Sequence, residues 1–422
     1  MITLNQRAVR ALGGFALAAA LLAPLASSAA DKPKAEHHHL AKSYMLYVGG
    51  YTRVSGKGVY AYRFNPATGD VAPLGLIESA VNPSWLTASH DHRFLYAGNE
   101  HPTKGAPDTG NSVTAYARDP ATGKLTLLNR VPSGGEGPAH LAVDKTGKIL
   151  AVANFGTGAV TTFKLNPDGS IGAMAANIVQ PGHAAGAQVA KDDNGLSPTD
   201  THIHCVMITP DNRFVLTCNI GLGKITAYRL NAETGALEQA GEPLTAPGLP
   251  GQRWRPRHLA FDPSGKFIYI NDSSMQVTTA SYDPATGAMK LIQSIPVDPG
   301  GPPNQSWSGS EVRVDHAGKF VYTSARAVDA SLKSAHLDGA INVYAVDPAT
   351  HKLTPVQHVA SGGDSPRSFA FDPSGNYLFV GNEYSGTIEI FSVDKKTGML
   401  NPTGKILKDV PEPSTYVFEA EK

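Results

Sequence analysis

Two histidines share a strand face in Thr201-His202-Ile203-His204, because residues two apart on a strand point the same way. Further on come Pro256-Arg257-His258, Glu311-Val312-Arg313, Arg326 and Arg367, with Glu100 well before them. Imidazole and carboxylate can take a proton from water, and guanidinium suits planar anions such as carboxylate and phosphate. The set could therefore activate a water and hold negative charge. No GxSxG nucleophile elbow appears, and no cysteine or histidine spacing indicates zinc.

What positions these residues is a repeat. RHLAFDPSGKFIYINDSSMQVTTASYDPATGAMKLI from Arg257 matches AHLAVDKTGKILAVANFGTGAVTTFKLNPDGSI from Ala139 and RSFAFDPSGNYLFVGNEYSGTIEIFSVDKKTGML from Arg367. Further copies start near Pro83, His202 and Glu311, and a truncated one at Tyr44. Aligned on the end of their second strand, the copies bring Gly50, Asn99, Asn154, Asn219, Asp272, Ala325 and Asn382 into register. Each holds four short runs of Val, Ile, Tyr, Phe and Leu separated by turn residues. Four strands per unit, seven times, predicts an all-β, seven-bladed β-propeller over residues 44–418. The first copy lacks its opening strand, and Pro413 to Phe418 resembles one. The C-terminal strand is therefore expected to join the N-terminal blade and close the ring.

In such a blade the first strand lines a central channel. One face carries uniform turns, DPSG at Asp262 and Asp372 and DPATG at Asp119 and Asp283. The other carries long irregular loops, where binding is usually built: residues 101–112, 182–201, 246–255, 299–309 and 327–339. His140, His202, His204, Arg257, His258, Glu311, Arg313 and Arg367 sit on opening strands, and Glu100 and Arg326 at the ends of second strands. His202, His204, Arg257, Glu311, Arg313 and Arg326 are expected to converge on the long-loop mouth of the channel. Asn154 and Asn219 are expected to bond turns. Arg313 stands where other copies have Thr87, Ala142, Met207, Ala260 and Ala370. With Glu311 on the same face, it forms either an internal salt bridge stapling one blade or a charged pair in the working pocket.

Residues 1–30 read as a secretory signal: Arg7 and Arg10, an apolar stretch from Phe15 to Leu25, then small residues with a cut near Ala29 or Ala30. A retained anchor is the rival, but the apolar run is short for a span of about 20 residues. Residues 31–43, with His37, His38 and His39, read as a polar linker. The expected location is periplasmic or secreted, with no membrane attachment after cleavage, as a monomer. Lys plus Arg, 36, equals Asp plus Glu, 36, which argues against a nucleic-acid partner. Cys205 and Cys218 should be near neighbours about the turn at Pro210 to Asn212, either bonded or as two buried thiols.

The chain resembles the seven-bladed propeller lactonases, which include propeller-type 6-phosphogluconolactonase and 3-carboxy-cis,cis-muconate lactonizing enzyme. The marks are Thr201-His202-Ile203-His204 with Thr209-Pro210-Asp211, then Pro256-Arg257-His258, then Glu311-Val312-Arg313 with Ser324-Ala325-Arg326, then Pro366-Arg367-Ser368-Phe369. Departures are Asn271-Asp272-Ser273 for Asn-Glu-Leu, Thr201 for a proline and Arg255 for a glycine. The resemblance implies hydrolysis of a small, anionic lactone without cofactor or metal. His204 or Glu311 would be the base. Arg257, Arg313 and Arg326 would stabilise the oxyanion or hold a substrate anion. His202, His258, Arg367 and Glu100 would complete substrate binding. Two alternatives stand: a calcium-dependent lactonase using Glu100, Asn154, Asn219 and Asp272, and an exported non-catalytic binding propeller.

Overall fold

The short apolar runs fold, in the computed structural model, as 28 strands, with no helix among the described residues 40–101, 110–182, 200–301, 306–328 and 338–421. The expected signal segment, most of the linker and the central parts of four of the five long loops lie outside those residues. The strands make seven four-stranded sheets, six of them from consecutive strands. In blade 1 the inner strand is β28 (Pro413–Ala420), followed outward by β1 (Tyr44–Gly50), β2 (Gly58–Asn65) and β3 (Asp70–Ser79). β28 pairs with β1 from Ala420 opposite Tyr44 to Pro413 opposite Gly50. Two edges that would otherwise be open thus satisfy each other, as expected from the truncated first copy.

The inner strands of blades 2 to 7 are β4 (Pro83–Ala88), β8 (Pro138–Val143), β12 (Ile203–Ile208), β16 (Pro256–Phe261), β20 (Trp307–Val314) and β24 (Pro366–Phe371). Second strands end at the aligned residues, except in blade 6, where β21 (Phe320–Ala327) runs two residues past Ala325. Second strands such as β9 (Ile149–Asn154) and β13 (Phe214–Asn219) are buried along their whole length. A sheet packed on both faces needs near-continuous apolar sequence, which these runs supply. Outer strands such as β3 are largely exposed and read as mixed.

Between blades, tyrosines on second strands reach the next sheet. Tyr47, Tyr96 and Tyr322 are fully buried, and their hydroxyls donate to the carbonyls of Gly123, Gly169 and Gly398. These glycines close the turns on the uniform face, so a scaffold turn in one blade also receives its neighbour. At the first turn of blades 2 to 7 an aspartate accepts backbone N–H groups, as Asp262 does from Lys266 and Phe267. His92 and Asn212 occupy positive φ at the place of the glycine in two copies.

Cys205 and Cys218 lie directly opposite each other across the β12–β13 ladder, as the expected register requires, and both are buried free thiols.

One feature was not legible in the repeat. Every inner strand carries a bulge at the same place. The register skips Ser84, Ala139, His204, Arg257, Arg367 and Ser414, and in blade 6 it skips Ser310 and Glu311 together. A bulged residue is freed from the ladder and re-aimed, a device common beside active sites.

Candidate active site

Three of the bulged side chains, His204, Arg257 and Arg367, line one cavity of about 270 Å³ at the long-loop mouth. The remainder of the wall is mostly a second ring. It consists of the residue one place beyond the aligned ends of second strands: Tyr51, Glu100, Phe155, Ile220, Ser273 and Arg326. The chemistry is divided. Phe155 and Ile220 give an apolar side, while Arg257, Arg326 and Arg367 crowd the other.

The sequence-predicted residues divide into four groups. His204, Arg257, Arg326, Arg367 and Glu100 meet in this cavity as expected. His202 does not line it. Its ring stacks on Phe155 at 4.7 Å, and its Nδ1 lies 2.9 Å from the Phe155 carbonyl oxygen, so it supports the cavity wall from behind. His258 and Glu311 are buried beneath the mouth. Arg313 corrects the expectation most clearly: it lines a different cavity, of about 460 Å³, with the turn residues His90, Lys145 and Pro210. Strands advance about 3.3 Å per residue. Arg313, two residues past the already buried Glu311, therefore emerges at the opposite end of the channel. Its guanidinium reaches Glu311 at 3.4 Å, the ion pair within one blade that the sequence pointed to.

The buried groups form a chain. Glu311 Oε1 lies 3.2 Å from His258 Nδ1, and His258 Nε2 lies 3.2 Å from His204 Nδ1. The Ser368 hydroxyl donates to Glu311 Oε2 at 3.0 Å, and the Val312 N–H donates to Oε1 at 3.0 Å. Burial alone would raise the Glu311 pKa. Arg313, His258 and these donors outweigh it and hold the carboxyl well below its usual range. An ionised carboxylate only accepts, so His258 must carry its proton on Nδ1. Its Nε2 then accepts the His204 Nδ1–H, which leaves the His204 Nε2 lone pair free, and no described residue hydrogen-bonds it. Burial, then Arg257, His258 and Arg367, push the His204 pKa well below 6.5. His204 is thus a neutral imidazole with its basic nitrogen fixed by two buried partners. Glu311 is buried under His258 and does not line the cavity.

Arg257 is 2 % exposed and donates to the Ser310 hydroxyl at 2.7 Å. No described carboxylate lies within ion-pair distance of it. Burial, with repulsion from Arg326 and Arg367, drives its pKa well down. Arg326 and Arg367 share Glu383, each at 3.7 Å, and Arg53 joins the same carboxylate. Burial would lower the Arg367 pKa, but Tyr51, Glu383 and Glu100 hold it up. The Tyr51 hydroxyl donates to Glu100 Oε2 at 2.6 Å and receives a hydrogen bond from Arg367.

The oxygens offered for calcium do not suit a shared ion. Asn154 donates through Nδ2 to the Ser133 carbonyl and Thr161, the turn-bonding role expected of it, while its Oδ1 is buried without a hydrogen-bond partner and does not line the cavity; the Asn219 Oδ1 accepts the His202 and Leu222 N–H groups. Asp272 accepts the Arg255 and Ser274 N–H groups. Only Glu100 of the four lines the cavity, together with four arginines, Arg255, Arg257, Arg326 and Arg367.

The buried histidine chain has a consequence for stability. Burial, with Arg257, depresses the His258 pKa from 6.5 to about 4, despite the pull of Glu311. Between those values the unfolded chain binds a proton that the folded one refuses, so stability falls as pH drops through this window. The full difference is worth about 3 kcal/mol. Glu311, also depressed, acts in the same direction at lower pH. Urea midpoints at pH 7 and pH 4.5 should therefore differ more for the wild type than for His258→Phe. Equal pH dependence in the two would contradict a neutral buried His258.

Residues 45–418 match the family described as "Lactonase, 7-bladed beta-propeller". The 6-phosphogluconolactonase of Bacillus subtilis is 28% identical over 358 residues, covering 85% of this chain and 93% of that protein. That of Formosa agariphila is 27% identical over 360 residues, covering 84% and 94%. The structure of the periplasmic gluconolactonase of Pseudomonas aeruginosa superposes with a TM-score of 0.77 at 28% identity, covering 90% of this chain and 100% of that one. By its repeat, its closure and these matches, the chain belongs to the seven-bladed β-propeller lactonase family.

Proposed function

We propose that the chain is an exported hydrolase that opens a small lactone bearing a carboxylate or phosphate, at the cavity lined by His204 and Arg257. The observation that carries the reading is Arg257, a buried guanidinium without a carboxylate partner, beside the free Nε2 of His204. A buried unpaired charge is costly, and an anionic ligand or an oxyanion would offset it. In the reaction, His204 Nε2 takes a proton from water as the oxygen attacks the lactone carbonyl. The developing oxyanion faces Arg257, while Arg326 and Arg367 hold the substrate's own negative group. The tetrahedral intermediate then breaks its ring C–O bond, and the leaving alkoxide recovers the proton from His204. The transient imidazolium is stabilised through His258 by Glu311.

Export rests on Arg7, Arg10, the apolar stretch after Phe15 and the small residues at the expected cut. One related structure is described as periplasmic. The test is turnover of a panel of sugar-acid lactones and muconolactones by the periplasmic fraction and by purified protein, with and without chelator. Hydrolysis that survives chelator, in the periplasmic fraction, is expected. Absence of turnover on every lactone would return the binding-propeller reading. Reversible loss with chelator would return the calcium reading, and activity confined to the cytoplasm would refute export.

A further inference from the structure

The mouth on the uniform-turn face has its own chemistry. Trp85 and His140 stack as one wall, ring centroids 3.8 Å apart, and Thr87, His90, Lys145 and Arg313 complete the polar lining. No Asp or Glu among the described residues lines this cavity. The neighbouring turn carboxylates are occupied, Asp144 by the Lys148 and Ile149 N–H groups and Asp211 by the Thr209 hydroxyl. Arg313 keeps a third of its side chain exposed, and its one ion-pair partner among the described residues, Glu311, is shared with His258 and Ser368. His140 is 5 % exposed, and its Nδ1 is buried without a hydrogen-bond partner. A basic cavity with an aromatic wall and no carboxylate among its described lining suits an anion.

We infer that this second mouth binds a small carboxylate or phosphate anion, held by Arg313 and Lys145 against the Trp85–His140 wall, and that its occupancy is felt at His204. The coupling half rests on the lactonase reading above; the binding half does not. An anion on Arg313 competes with Glu311 for the same guanidinium. Glu311 then serves His258, and through it His204, with less of its charge spent on Arg313. His204 itself faces Arg257, His258, Arg367 and His140, and Arg313 reaches it only through Glu311. More uncompensated negative charge behind the chain favours the protonated imidazole, so the acid limb of activity should move to higher pH.

The experiment is calorimetric titration of the purified full chain with inorganic phosphate and, separately, malonate. Lys145→Gln, Arg313→Gln and Arg257→Gln are compared with the wild type. Binding of either anion that weakens at least about tenfold in Lys145→Gln and Arg313→Gln, and survives in Arg257→Gln, is expected for charge-assisted contacts. The tighter of the two probes names the anion class. An occupied active site would add an equivalent that only Arg257→Gln removes. Lys145 is an exposed turn residue, so Lys145→Gln should keep its anion-free lactonase rate. No binding, or binding lost only in Arg257→Gln, would overturn the second site. Binding without movement of the acid limb would overturn the coupling while leaving the lactonase reading intact.

Discussion

Arg257→Ala is expected to lower kcat/KM on an active lactone by about 10²–10³-fold, the usual cost of removing a group that faces a developing oxyanion. The effect should fall chiefly on kcat. On the proposed assignment the ground-state anion still has Arg326 and Arg367, whereas the oxyanion is assigned to Arg257. Arg257→Lys should recover part of the loss, because a point charge remains but the planar fork does not. Deleting a buried guanidinium that, among the described residues, bonds Ser310 alone should not itself unfold the protein, and its neighbours Arg326 and Arg367 lose a repulsion. The thermal midpoint of Arg257→Ala is therefore expected to stay close to that of the wild type or rise. An unchanged kcat in a folded variant would remove Arg257 from the mechanism.

His204→Gln should cost kcat about 10²–10⁴-fold, the range for losing a general base, with a much smaller change in KM. The pH profile separates this from a packing defect. Burial, with Arg257, His258 and Arg367, keeps the His204 pKa well below 6.5. The base is the neutral imidazole, so wild-type activity should persist below pH 6.5 and decline only in more acid solution. The residual activity of His204→Gln should lack that decline. A variant whose activity is merely scaled down, with its acid limb in place, would assign the proton transfer to another group.

The fold was legible because each copy repeats the same signals: apolar runs, DPSG and DPATG turns, and a missing strand at one end supplied at the other. The site was legible in part. His204, Arg257 and Arg367 stood out as residue types, but their shared bulge did not, since a bulge is a property of two strands in register and not of one sequence. Depth along the channel was the larger miss. Arg313 shares a strand face with Glu311, yet two residues of rise carry it to the other mouth. Tyr51 and Phe155 had a usable signal. They sit one column beyond the aligned Gly50 and Asn154, the column that also holds Glu100 and Arg326. Reading every member of that column, not only the charged ones, would have found the apolar side of the pocket.

The seven bulges separate two kinds of selection. A residue outside the ladder contributes no register hydrogen bond, so its identity is nearly invisible to sheet assembly. In this chain the positions hold His204, Arg257 and Arg367, which line the cavity, and Ser84, Ala139 and Ser414, which do not, with Ser310 and Glu311 at the seventh. The scaffold thus offers a wheel of sockets, some of them filled by packing: Ser84, Ala139 and Ser414 are buried, and the Ser414 hydroxyl donates to the Ser84 carbonyl at 2.8 Å. A larger side chain written into one of them must repack its neighbours before it can reach the cavity.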